Sequence, residues 1–184
     1  LENIDDCRKF YHRGRNTNRK RKYSIPRIYI SEFEYENLRL KGDAFIPHIA
    51  QASIKTKSFL GNPMFLGSNN VFNKMGIDIL DEIIEHPLNI FGLISEYALS
   101  KENKNFNCEG YQEDTSSMFE TACFSMCPLF LGTGSKIKIQ ESLANATPVV
   151  AMIDSGLNSD IVHGVNGFLC YTTQEFKEYC DILY

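Results

Sequence analysis

The sequence has no apolar run of about 18 residues, the length a helix needs to cross a bilayer. It also has no charged-then-apolar opening of the signal-peptide kind. Those two absences set a cytoplasmic expectation. Six cysteines occur, at 7, 108, 123, 127, 170 and 180, but none forms a C-x-x-C pair, so neither a redox motif nor a paired metal site is read. Cys123 and Cys127, read as one helical turn apart, are the close pair, and free buried thiols are the expected state. No G-x-x-x-x-G-K-[ST] loop is present, and a G-x-G-x-x-G fingerprint would need glycine where Ile137 stands. P-loop and dinucleotide sites are therefore not expected. Internal repeats and low-complexity segments are lacking as well.

What is present is enough chain for one substantial core: 184 residues, 43% hydrophobic, too short for two complete domains. The net charge of −4 is unevenly spread. Residues 1–22 carry eight Lys and Arg against three acids, and the remainder eleven against twenty, so +5 precedes −9. Such a basic block suits an anionic membrane surface, here through residues 8–22 on its cytoplasmic face, and equally a solvated helix face. Nucleic acid is not expected, because few aromatics interleave with the charges and no nucleic-acid motif follows.

From residue 26 onward, short apolar runs alternate with longer amphipathic ones, the pattern of βα units. Strands are predicted at 27–30, 44–49, 63–68, 88–93, 126–131, 148–153 and 166–171. A helix from Ser31 would be capped by Ser31 and Glu34. The next is predicted over 74–86, where Ile77, Leu80, Ile83 and Ile84 fall at helical spacing. Residues 94–105 read as polar helix or loop, 114–125 as a helix capped by Asp114 or Thr115, and 173–183 as a final helix. The fold class is α/β, a Rossmann-like parallel sheet flanked by helices, with a domain boundary between 48 and 62.

One stretch carries chemistry. "LGTGSKIKIQESLANATPVV" (131–150) runs from a strand end through a glycine turn into a helix, read as Lys136–Asn145 with Ser135 as its cap and Pro148 beyond its end. In open α/β sheets, ligands sit outside the carboxyl ends of the strands. The first backbone N–H groups of such a helix favour an anion, and Gly132 and Gly134 let it come close to the backbone. Lys136 and Lys138 add full charges, and Glu141 can accept hydrogen bonds from two adjacent sugar hydroxyls. The same spacing also fits a plain strand–loop–helix connection in which Glu141 pairs with a lysine one turn away.

The run "GTGSKIKIQESLANATPVV" followed by "HGVNGFLC" resembles the nucleotide-sugar half of GT-B glycosyltransferases of the family 4, or group 1, type. "MFLGSNNVFNKMGIDILDEI", "LNIFG" and "CEGYQEDTSSMF" resemble the elements that open that domain and precede its site. "YISEFEYENLRLKGDAFIPHI" resembles the stretch closing the acceptor domain. The likeness covers about residues 27–180. It implies two parts: residues 1–50, a basic segment with the last elements of the acceptor domain and hinge, and residues 51–184, the C-terminal, donor domain.

By this resemblance Glu141 matches the glutamate at the donor ribose, the second acid of an E-x7-E motif. Gly132, Thr133, Gly134 and Ser135 match the loop against the diphosphate. Lys138 is expected at the diphosphate as a catalytic counter-charge, with Lys136 beside it and Lys74 as a second candidate. Tyr111 is either a packing tyrosine or a nucleobase contact. His48 and His163 are read as a turn residue and a helix-end cap, not as catalytic groups. The implied activity is transfer of a sugar from a UDP- or GDP-type donor to a saccharide or lipid-linked saccharide, in polysaccharide or glycolipid synthesis. Retention is inferred from the family. No D-x-D occurs, and no metal or other cofactor is expected. The chain reads as a fragment, able to bind donor but by itself inactive in transfer. Three departures stand out: Thr133 replaces the first acid, Ser68 replaces an arginine common after the first glycine loop, and Ala146 or Thr147 replaces a glycine before the Pro-Val-Val strand. They leave room for a non-catalytic binding or assembly subunit, or for a GT-B epimerase.

Overall fold

The computed structural model describes residues 28–29, 35–36, 39, 41–52, 56–130, 136–156 and 159–184. Strands β1 (Ile28–Tyr29) and β2 (Ala44–Phe45) pair in parallel as a small sheet. The helix predicted from Ser31, with its Glu34 capping box, falls largely outside the described residues. Six further strands form one parallel sheet: β3 (Met64–Leu66), β4 (Leu88–Phe91), β5 (Phe106–Gly110), β6 (Ser125–Cys127), β7 (Val149–Met152) and β8 (Gly167–Cys170). Their order is β5-β4-β3-β6-β7-β8. Sequence order therefore reverses between β3 and β6, which pair through Met64 and Ser125. That is the doubly wound arrangement with its switch point at the centre.

Burial on both faces explains why the strands read as unbroken apolar runs. All four residues of β7 are buried. Val150 and Met152 join Phe65, Phe124 and Met126 on one face, and Val149 and Ala151 join Cys127 and Leu129 on the other. The first face is covered by helix α1 (Val71–Ile83), through Ile77 and Leu80, and by α6 (Thr173–Leu183), through Phe176 and Cys180. Between them in sequence come α2 (Ser95–Leu99), α3 (Ser116–Thr121), α4 (Ile137–Ala144) and the single turn α5 (Ile153–Gly156). Ile139 of α4 packs on the second face, and Met118 and Phe119 of α3 close a third cluster with Met64 and Phe91. Ahead of β3, the Lys57 ammonium donates to Phe119 O at 2.5 Å, Ala122 O at 2.6 Å and Thr147 Oγ1 at 2.8 Å, tying this part of the chain to the large sheet. Among the described residues no helix is long and apolar enough to cross a membrane.

Several expected boundaries move. Helix α1 begins three residues earlier than the periodicity suggests, because Asn70 caps it by accepting the Asn73 N–H at 3.0 Å. Helix α3 stops at Thr121, so Cys123 and Cys127 are not a helical pair: Cys127 lies in β6. The five described cysteines are all free, and burial pushes Cys170 up to about 12. His163 is not at a helix end. It precedes β8, where its Nδ1 accepts the Leu169 N–H at 3.1 Å and its ring meets Phe168 and Tyr179 edge-on.

The end of α4 accounts for one departure from the family pattern. Ala146 N–H donates to Leu143 O at 3.1 Å and Thr147 N–H to Ser142 O at 2.9 Å, the paired bonds of a Schellman cap. The left-handed residue this cap needs is Ala146, at φ 51°. Ala146, not Thr147, thus occupies the place that suits glycine. Ala146→Gly is expected to raise stability by about 1 kcal/mol, the strain a Cβ adds in this region, measured by urea unfolding; an unchanged or lower midpoint would contradict this.

Candidate functional site

At the carboxyl end of the sheet, the loop after β3 and the start of α4 face each other across the switch point. Between them lies a cleft of about 550 Å³. Its lining includes Gly67, Ser68, Asn70 and Asn73 from the β3–α1 connection, Gly92 and Leu93 after β4, Tyr111 after β5, and Lys136, Lys138 and Glu141 from α4 and its cap.

Helix α4 divides its residues by spacing. Ile139 and Ser142 are buried against the sheet, while Lys138 and Glu141, three apart and so on one face, line the cleft. Lys136 is the helix cap, so α4 starts one residue later than read from Ser135. The expected loop residues Gly132, Thr133, Gly134 and Ser135 lie outside the described residues, as does the basic segment 8–22.

The Lys138 ammonium donates to Asn73 Oδ1 at 2.9 Å and sits 4.6 Å from the centroid of the Phe65 ring. That distance is within the range of a cation–π contact. No carboxylate pairs with it among the described residues. Burial holds its pKa below the ordinary 10.5; Cys127 acts to raise it and Lys136 to lower it further. The site therefore contains a partly buried cation with neutral hydrogen-bond and ring partners and spare donor capacity, a setting that favours an incoming anion.

Lys74 does not reach the cleft. With Asn70 as cap, α1 turns Asn73, Ile77 and Leu80 inward and carries Lys74 to its side, where the ammonium lies 5.2 Å from the centroid of the Tyr97 ring. Tyr97 in turn donates to Asp78 Oδ1 at 2.8 Å, and Lys101 pairs with the same oxygen at 2.5 Å. Lys74 thus belongs to a surface cluster between α1 and α2.

Tyr111 is 72% exposed and Leu93 54%. Both stand at the cleft, on loops leaving β5 and β4. The tyrosine is thus not buried in packing, and the two supply an apolar lip suited to a flat ring. His48 is not in the lining; its Nε2 is buried with no hydrogen-bond partner.

Two residues of the site are missing from the sequence reading. Asn70 holds the Ser68 hydroxyl through Nδ2 at 2.9 Å, and Asn73 joins the β3–α1 loop to Lys138. The signal was present: a Ser-Asn-Asn cap before an amphipathic run, and a polar residue in register with Ile77 and Leu80 on the inward face of α1.

The model of the family described as glycosyl transferases group 1 matches residues 72–184, more than half of the chain. Among curated proteins none matches. Among solved structures, TarM is similar at 16% identity and a TM-score of 0.67, over 85% of this chain and 37% of that one. HepE of Anabaena in complex with UDP-glucose is similar at 16% and 0.68, over 88% and 54%. WaaG, a glycosyltransferase involved in lipopolysaccharide biosynthesis, is similar at 11% and 0.58, over 89% and 54%. TarM of S. aureus has also been solved with Fondaparinux, alpha-GlcNAc-glycerol and UDP, at 13% identity and a TM-score of 0.63, over 85% and 36%. The shared fold is the GT-B Rossmann-like one, and the chain spans between about a third and just over half of these proteins' lengths.

Proposed function

We propose, for a chain that belongs to the group 1 glycosyl transferases, that the switch-point cleft binds the nucleoside diphosphate of a sugar donor and that the protein transfers that sugar to an acceptor. The observation carrying this reading is Lys138: a partly buried ammonium, with no carboxylate partner among the described residues, on the same cleft-facing side of α4 as Glu141. We assign the diphosphate to Lys138, Lys136 and the loop Gly132–Ser135, the ribose hydroxyls to Glu141, and the base to the lip of Leu93 and Tyr111. UDP and UDP-glucose in the HepE and TarM complexes favour uridine as the base. Lys74, held over Tyr97, is given no role.

Glycosyl transfer develops positive charge on the sugar and negative charge on the departing diphosphate. A fixed cation at that diphosphate therefore lowers the barrier. In this reading Lys138 supplies it without a metal ion, and transfer proceeds with retention. The acceptor is a saccharide or lipid-linked saccharide of polysaccharide or glycolipid synthesis, and it binds outside residues 51–184, so this chain binds donor but does not transfer unaided. Residues 8–22 meet an anionic membrane surface. The second reading, a non-catalytic binding or assembly subunit, is favoured by Ser68, whose hydroxyl is engaged by Asn70 and Asn73, and by Thr133 at the place of the first acid. It predicts no nucleotide affinity.

The ribose assignment is tested by calorimetric titration with UDP and 2′-deoxy-UDP. Glu141→Ala is expected to weaken UDP binding by about 1–3 kcal/mol, the scale of lost hydrogen bonds to a charged group, and to abolish the preference for UDP over the deoxy form. A variant that keeps the preference would place the ribose elsewhere.

A further inference from the structure

Asn73 is 4% exposed and bonded on both sides of its amide. Its Nδ2 donates to Ser68 O at 2.8 Å and reaches Ser68 Oγ at 3.4 Å, while its Oδ1 accepts from Lys138. The orientation is dictated by these partners: a flipped amide would set NH₂ against an ammonium and a carbonyl against a carbonyl. There is no slack around it. A Cβ on Gly67 would lie 3.0 Å from Asn73 Cγ and 3.1 Å from Nδ2, so Gly67 packs flush on the amide. The backbone N–H of Asn73 donates in turn to Asn70 Oδ1 at 3.0 Å.

We infer that Asn73 is the positioning residue for Lys138, holding the ammonium in the cleft with a neutral acceptor so that its charge remains available to the donor's diphosphate. This rests on the nucleotide reading above. The choice of amide over acid is what makes the arrangement work. A carboxylate at this position would pair with Lys138, cancel its charge and turn an oxygen towards Ser68 O. A truncated side chain would leave both the ammonium and the Ser68 carbonyl without their partner. The groups around Lys138 are Asn73 on α1, the Phe65 ring on β3, Cys127 at the end of β6, and Lys136 ahead of α4, with Glu141 one turn along lining the same cleft. None of the described carboxylates is bonded to it, so position 73 sets whether the lysine meets a counter-ion.

The test has two arms on the full chain. In the first, the ionisation of Lys138 is followed without nucleotide by NMR of lysine ¹³Cε, assigned by loss of the signal in Lys138→Arg. An acceptor for the charged form raises a lysine's pKa and a carboxylate raises it more, so the midpoints are expected in the order Asn73→Ala, wild type, Asn73→Asp, lowest first. In the second, UDP affinity at neutral pH is expected to fall about tenfold in both variants, the scale of one charge-assisted hydrogen bond, although their midpoints move in opposite directions. A merely structural asparagine would weaken both and leave the Lys138 midpoint unmoved, and that result overturns the inference. Ordered midpoints with UDP affinity equal to wild type in both variants also overturn it. If the midpoints follow the order but the wild type binds no UDP, Asn73's hold on Lys138 stands and the nucleotide reading fails.

Discussion

Lys138→Met is expected to lower UDP affinity about a hundredfold, the scale of losing two charge-assisted hydrogen bonds, while leaving the fold as stable as before or more so. The two effects have one cause. Burial holds the Lys138 pKa below the ordinary 10.5, so the folded chain binds this proton less tightly than the unfolded chain does. The charged lysine therefore opposes folding at every pH below its lowered value, and stability recovers as pH rises from there towards 10.5. Methionine fills similar space over Phe65, removes that opposition at neutral pH, and removes the cation; the Asn73 Oδ1 it leaves without this donor offsets part of the gain. Nucleotide affinity runs the other way: in the wild type it declines as pH rises through the lowered pKa, whereas in the methionine variant that limb is absent. Urea unfolding and calorimetric titration from pH 7 upward measure both. A variant that binds UDP normally but unfolds more easily would make Lys138 a structural lysine.

Gly92→Ala is expected to destabilise the chain by about 3 kcal/mol and to abolish nucleotide binding. Gly92 sits where the loops after β3 and β4 cross. Its φ is 89°, and a Cβ there would lie 2.3 Å from Gly67 O and 3.1 Å from Gly67 C. Strain in the left-handed region accounts for about 1–2 kcal/mol; the rest comes from pushing apart two backbones that cannot repack. They are bonded on all sides: Gly67 N–H to Phe91 O at 3.0 Å, Ile94 N–H to Gly67 O at 3.2 Å, Gly92 N–H to Gly110 O at 2.7 Å. Gly67 is also the surface against which Asn73 rests, so displacement passes directly to Lys138. Gly110→Ala is the control: φ is 72°, but nothing lies within 4 Å of the added carbon. It should show only the strain. Equal urea midpoints for the two variants would contradict the account.

The α/β alternation was legible where a strand is buried on both faces, as β7 is, and where a helix carries an apolar stripe, as α1 does; β5, whose residues are half-buried or exposed, offers no apolar run to read. The order of the strands was not legible from pattern alone, since any parallel arrangement buries these runs equally well. Lys138 and Glu141 stood out by their place after the glycine turn and by the family resemblance, and the structure brings both to one cleft. Lys74 lies outside the cleft lining for a local reason. Reading the helix from Lys74 leaves its first turn unassigned, whereas the cap at Asn70 sets the rotation of the whole helix and gives the inward position to Asn73. Helix ends are decided by single side-chain bonds such as Asn70 Oδ1 to the Asn73 N–H, which hydrophobic periodicity does not register. The same holds for α3, where the pattern ran on to Ser125 and the helix stops at Thr121. For Tyr111 the sequence does not separate packing from contact, because a residue just after a strand has no fixed side; its exposure at the cleft mouth decides against packing.

In the proposed function the cleft between the β3–α1 loop and α4 holds a nucleoside diphosphate. The direct measurement is calorimetric titration of this chain with UDP, GDP and ADP in EDTA, with uridine alongside. One-to-one binding of UDP in preference to the other two is expected, retained in EDTA, with much weaker binding of uridine, which has no diphosphate for Lys138. Failure of all three nucleotides to bind, or uridine binding as tightly as UDP, would contradict it.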